Sequence, residues 1–175
     1  NLQALFQPEI EPGDFVQSLY GYGMDGMLNY YNLGFEPEEV ELSRALTQHL
    51  GMDSFGIQPY LAKANKELAN RIGEGMHKGI TATASGFYAA QGRALRLNLA
   101  LPEQNNLLET FRFNDLRVLN FEMETSAIFG IGGAMNHKCC TVCVAVANRP
   151  LKKALTNYKP KVQELIQLIL DRLTN

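Results

Sequence analysis

Gly79-Ile80-Thr81-Ala82-Thr83-Ala84-Ser85-Gly86-Phe87-Tyr88-Ala89-Ala90-Gln91-Gly92-Arg93 begins as a strand of small and β-branched residues and ends as a polar loop. The loop half carries three groups of distinct chemistry. Phe87 offers a stacking face, Gln91 a donor and an acceptor, and Arg93 a planar donor fork. Together they suit a flat heterocycle with carbonyl and N–H edges. Taken alone, such a stretch is more often a strand running into a solvated loop.

Working outward, Asn120-Phe121-Glu122-Met123-Glu124-Thr125-Ser126-Ala127 places two carboxylates either side of one Met at a strand-to-helix junction. Glu124 opens a helix whose apolar stripe continues through Ile128, Ile131 and Met135. A carboxylate heading such a stripe is expected to point inward, where an unpaired charge is costly and sugar hydroxyls are natural donors to it. The helix dipole favours an anion at that end. The plainer alternative is an acid at the surface of a helix N-terminus.

Around these motifs the periodicity predicts strands over Asp14–Tyr20, Lys78–Thr83, Arg117–Phe121 and Lys138–Asn148, the last apolar on both faces and therefore central. Ala94–Leu99 is a further candidate for strand pairing. Helices are expected over Glu38–Leu50, Tyr60–Ile72, Asn105–Phe111, Glu124–Asn136 and Tyr158–Leu173. Pro37 and Gly51 punctuate the first of them. Strands alternating with helices imply an α/β fold with a mostly covered sheet, and no repeat or domain boundary interrupts it.

Composition narrows the partners. The 175 residues are 46% hydrophobic and 19% charged, with net charge −2, and the basic residues are dispersed, so no nucleic-acid partner is expected. The apolar runs fall short of a membrane span, and Asn1–Asp14 has no basic stretch followed by an apolar core, so neither a membrane partner nor a signal peptide is expected. Cys139, Cys140 and Cys143 lie in one β-prone run without His or a second Cys pair at zinc spacing. They read as reduced core thiols of a cytoplasmic protein, with no metal site. Gly21-Tyr22-Gly23-Met24-Asp25-Gly26 fits the dinucleotide fingerprint, but Gly34 and Pro37 interrupt the helix it needs, so it reads as a glycine-rich loop or turn. His49, His77 and His137 form no catalytic constellation.

The motifs GIT…GFYAAQGR and NFEMETSA, with QPEIEPGDFV, GYGMDGMLNYY and KCCTVCVAVANR, resemble the nucleoside phosphorylase family, and specifically its uridine phosphorylase branch. The resemblance implies a single domain over residues 1–175: a mixed, twisted sheet flanked by helices, nucleoside phosphorylase-like and N-terminally shortened. It implies that Phe87, Gln91 and Arg93 converge on the base, with Gln91 and Arg93 catalytic at its carbonyls. It makes Glu124 the acceptor for the ribose 2′ and 3′ hydroxyls, Met123 the contact to the sugar ring, and Glu122 a support for the pocket. Purine-cleaving relatives carry a Ser-Asp pair where this chain has Asn148-Arg149. That difference favours a pyrimidine, with Arg149 near its distal carbonyl.

The implied reaction needs no cofactor, only inorganic phosphate as co-substrate, and the family pattern implies a homo-oligomer, at least a dimer. The family's phosphate-binding arginines precede the QPEI segment, and Asn1–Phe6 contain neither Arg nor Gly-Thr. Weak phosphate binding and slow phosphorolysis are therefore expected of this polypeptide. A partial chain, a nucleoside-binding relative without turnover, and a start whose Phe and Leu residues cover a sheet edge all stay open. A purine-type phosphorylase is the weaker alternative.

Overall fold

The computed structural model describes residues 2–174. In chain order the elements are β1 (Leu2–Leu5), β2 (Phe15–Gly23), α1 (Pro37–Leu50), β3 (Tyr60–Lys63), α2 (Lys66–Ile72), β4 (His77–Thr83), α3 (Gln104–Thr110), β5 (Val118–Glu122), α4 (Thr125–Ala134), β6 (Thr141–Asn148), β7 (Lys153–Ala154) and α5 (Lys159–Thr174). The strands form one mixed sheet in the order β3-β2-β4-β5-β1-β6-β7. The sheet also closes on itself. One edge of β2 is shared, pairing antiparallel with β6 through Phe15–Ser18 and with β3 through Tyr20–Gly23. Closure removes the exposed edge that a short open sheet would present between β2 and β6.

β1 corrects one expectation. The chain start does not cover an edge; Leu2–Leu5 lies inside the sheet, antiparallel to β5 and parallel to β6. Its Leu5 packs with Val16, Leu119, Cys143 and Ala145 where the ring closes. The outer core sets Tyr22, Ile80 and Phe121 against Leu42 and Leu46 of α1 and Leu108 of α3. Leu165 and Val162 of α5 cover Val144 on another flank. Cys139 and Cys140 precede β6 rather than lying in it, and none of the three cysteines is in a disulfide.

Three further expectations are corrected. Tyr60–Ile72 is not one helix but β3 followed by α2. Asn65 divides them, its Oδ1 accepting from the Leu68 backbone N–H at 3.0 Å as an N-cap. The successive burial of Tyr60, Leu61 and Ala62 belongs to a strand covered on both faces. Ala94–Leu99 pairs with nothing in the sheet, because both flanks of β4 are already taken by β2 and β5. Finally, Gly21 and Gly23 are strand residues of β2, not a loop, and only Gly26, at φ 68°, turns the chain.

The parallel strands β2, β4 and β5 end level with one another. Gly23 stands beside Thr83, and Thr83 beside Glu122. Lower down, the Ser18 and Thr81 hydroxyls meet at 2.6 Å and Thr81 donates to Asn120 Oδ1 at 3.0 Å, stitching the same three strands in register within the core.

Candidate functional site

Two groups of side chains project from that common strand end. The first is on the loop after β4. Arg93 Nη1 donates to the Phe87 carbonyl and to Gln91 Oε1, each at 2.6 Å. Its guanidinium carbon lies 3.9 Å over the Phe87 ring centroid, a cation–π arrangement. Gly92, at φ 69°, makes the turn that brings Arg93 back over the loop; a Cβ there would stand 2.4 Å from Asn105 Nδ2. Gln91 is buried, whereas Phe87 is 54% exposed.

Arg149 reaches this group from the end of β6, a strand that runs against β2. Its Nη2 donates to the Gln91 carbonyl at 3.2 Å, and its guanidinium sits 5.5 Å from the Phe121 ring and 5.7 Å from Phe6. Burial, then the neighbouring Arg93 charge, lowers the Arg149 guanidinium to about 10, so it stays charged at neutral pH in a poorly solvated place. Burial lowers Arg93 as well. Phe6, Arg93, Asn105, Arg149 and Pro150 line a recess of about 550 Å³. Arg93 also borders a more apolar cavity of about 890 Å³, with Met24, Ser85, Tyr88 and Leu97. Asn148 faces elsewhere. Its Nδ2 donates to the Gln7 and Ile10 carbonyls and its Oδ1 accepts from Leu151, so it shapes the loop that presents Arg149.

The second group is at the start of α4. Here the inward carboxylate is Glu122, and Glu124 is exposed, which reverses the sequence expectation. Glu122 Oε2 accepts the Glu124 and Thr125 backbone N–H groups at 2.8 and 2.7 Å, while Oε1 accepts the Thr83 hydroxyl at 2.6 Å. These bonds satisfy helix-terminal donors and a buried charge together. Glu124 is the N-cap residue and Met123 beside it is 43% exposed.

The supposed inward stripe of α4 is also reversed. Ile128 and Met135 are exposed, and Thr125, Ser126 and Phe129 are buried. Small residues let α4 lie close on the sheet: a Cβ on Gly21 would come within 2.7 Å of the Ser126 Cα.

Phe87, Gln91, Arg93 and Arg149 thus converge through direct contacts, and Glu122, Met123 and Glu124 form a neighbouring set. Ala84, Ser85 and Gly86 are the short span between Thr83, which touches the second set, and Phe87, which opens the first. Sequence reasoning missed Thr83, whose buried hydroxyl looks like ordinary strand polarity, and Asn105, whose carboxamide fills the space beside Gly92.

Residues 4–174 match the model of the phosphorylase superfamily. This chain belongs to that superfamily. Within it, the chain is 30% identical over 144 residues to a uridine phosphorylase of Thermococcus kodakarensis, covering 82% of this chain and 45% of that protein. The fold is similar to the crystal structure of a Trypanosoma brucei nucleoside phosphorylase that shows uridine phosphorylase activity. The TM-score is 0.89 at 24% identity, over 99% of this chain and 61% of that one. A uridine phosphorylase of the oomycete Phytophthora capsici gives a TM-score of 0.57 at 17% identity, over 98% of this chain and 62% of its own. The superfamily fold is therefore present, and the chain spans about half to three-fifths of the length of these relatives. No helix among the described residues is long and apolar enough to cross a membrane.

Proposed function

We propose that this phosphorylase-superfamily chain supplies the base- and ribose-binding half of a uridine phosphorylase-type site. In the reaction, the bond between C1′ of the sugar and N1 of the base breaks, its electron pair leaves with uracil, and a phosphate oxygen bonds to C1′. The uracil anion takes up the proton that the hydrogen phosphate gives up, so the products are uracil and ribose 1-phosphate. The observation that carries the reading is the meeting of two guanidiniums, Arg93 and Arg149, on the two oxygens of one residue, Gln91. Two like charges in a partly buried recess favour an anionic guest, and the departing pyrimidine is anionic in the transition state.

In this reading Arg93 and Gln91 are the catalytic pair at the base carbonyls, Arg149 faces the distal carbonyl, and Phe87 offers an aromatic face. Glu124 accepts from the ribose hydroxyls, Met123 packs on the sugar, and Glu122 holds the backbone that carries both. Inorganic phosphate is the co-substrate and no further cofactor is needed. A cytoplasmic homo-oligomer, at least a dimer, completes the proposal; sedimentation at micromolar concentration tests the assembly, and a strictly monomeric species counts against it.

The test supplies uridine and phosphate to the protein and follows uracil release, beside uridine binding without phosphate. Phosphate-dependent uracil release supports the proposal. Binding without release points instead to a nucleoside-binding protein without turnover, and failure to bind any nucleoside overturns both.

A further inference from the structure

We propose that Thr83 is a positioning residue for the sugar: its hydroxyl fixes where the start of α4 presents Glu124. This rests on the nucleoside reading above and deepens it. Thr83 ends β4, and its side chain is fully buried. Its hydroxyl donates to Glu122 Oε1 at 2.6 Å, which leaves its lone pairs to accept the Ser126 backbone N–H at 3.0 Å. The same Glu122 carboxylate holds the Glu124 N–H through its other oxygen. Ser126 in turn meets the Tyr60 hydroxyl at 2.9 Å through its own Oγ. A continuous chain of bonds therefore runs from Tyr60 on β3, through Ser126, to Thr83 on β4, to Glu122 on β5, and ends at the backbone of Glu124.

The surroundings leave this chain little room to relax. The Tyr60 ring lies over Gly23, where a Cβ would stand 2.2 Å from ring carbon, and the backbone of Ser126 lies against Gly21. Gly21 and Gly23 thus act as close-approach points. They let α4 and Tyr60 come down onto β2, and the hydroxyl chain then sets the height of the helix start. Glu124 itself is exposed, and the buried chain locates its backbone through the N–H that Glu122 accepts. A carboxylate that must accept from two vicinal hydroxyls needs that location held within a fraction of an ångström.

The experiment compares wild type with Thr83→Val, Thr83→Ser and Tyr60→Phe, titrating uridine and free uracil by calorimetry. Thr83→Val keeps the shape and removes the hydroxyl. It should weaken uridine about tenfold, the scale of one lost buried hydrogen bond, while uracil stays within about twofold. Thr83→Ser restores the hydroxyl and should restore uridine affinity. Tyr60→Phe removes the far end of the chain, together with the Tyr60 hydroxyl's contact to Asp25, and should weaken uridine about threefold with the same selectivity. It carries the test if Thr83→Val does not fold. Equal losses for uridine and uracil, or no loss for either, overturn the positioning role, as does a Thr83→Ser variant that behaves like Thr83→Val. If wild type binds uracil and uridine equally, or neither, the nucleoside reading fails first and this inference falls with it.

Discussion

The loop that carries Arg93 and the helix start that carries Glu124 are adjacent, yet they are built in opposite ways. Apart from the buried Gln91 the loop is largely open to solvent, and the functional side chains make much of its side-chain bonding themselves: Arg93 holds Phe87 and Gln91, and Arg149 holds Gln91. At the helix start the functional candidate, Glu124, is exposed, and the order comes from residues beneath it, Glu122 and Thr83. Removing a loop side chain should therefore cost function with little stability. Removing a buried support should cost stability as well.

The sharpest contrast is expected for Arg93→Ala. Loss of a donor aimed at developing charge lowers turnover by about 10²–10³-fold. Arg93 is partly exposed and its contacts are local to the loop, so the melting temperature should shift by no more than about 1–2 °C. Assay and thermal melt on the same sample check this; parent-like turnover removes Arg93 from its role.

Glu122→Gln should show the reverse balance. An amide cannot accept all three bonds that this carboxylate accepts: with its oxygen on the two backbone N–H groups, its NH2 faces the Thr83 hydroxyl, which must turn its proton away and loses its acceptor. A loss of about 1–3 kcal/mol is expected, which for a chain of this size lowers the melting temperature by several degrees. An unchanged melt would show that the start of α4 is held by something else.

Glu124→Gln tests the exposed acid without disturbing the frame. Uridine affinity should fall about tenfold, while uracil affinity and the melting temperature hold, because an amide offers one acceptor oxygen for two hydroxyls. Equal losses for the two ligands contradict the assignment.

The smallest effect is expected from Arg149→Met. A guanidinium lowered to about 10 by burial and by Arg93 is charged at neutral pH at some cost to the folded state. Its folded value lies below its unfolded one, so that cost is full below about 10 and fades as pH rises from there toward the unfolded value. The residue is only half-buried, so the gain on replacement is screened, and a rise of about 1–2 °C at neutral pH is expected, shrinking at high pH. Uracil affinity should fall in the same variant. A melt that drops at neutral pH would show that the Gln91 contact outweighs the buried charge.

What the sequence made legible follows the same division. Residue types singled out Phe87, Gln91 and Arg93, but taken alone such a stretch is more often a solvated loop; the family resemblance is what set the three together, and the structure brings them into contact. The alternation of strands and helices was legible too, since β2, β4, β5, β6, α1 and α5 carry clear periodicities. Closure of the sheet was not, because it depends on β2 dividing one edge between β6 and β3, a choice no local pattern records. The inward stripe assigned to α4 failed for a related reason. Ile128 and Met135 fit an apolar face by spacing, but the glycine at position 21 draws the small face, Thr125 and Ser126, onto the sheet instead. With that face turned to the sheet, Glu124 is left exposed rather than inward, while Glu122 lies buried beneath it.

The central claim is that the loop and the helix start form one site divided between base and sugar. Its most direct test is a calorimetric titration of uridine and of uracil into wild type, Arg93→Ala and Glu124→Gln. The account predicts that wild type binds uridine more tightly than uracil, that Arg93→Ala weakens both ligands, and that Glu124→Gln weakens uridine alone. If neither substitution changes either affinity, or if both affect the two ligands alike, the divided site is contradicted.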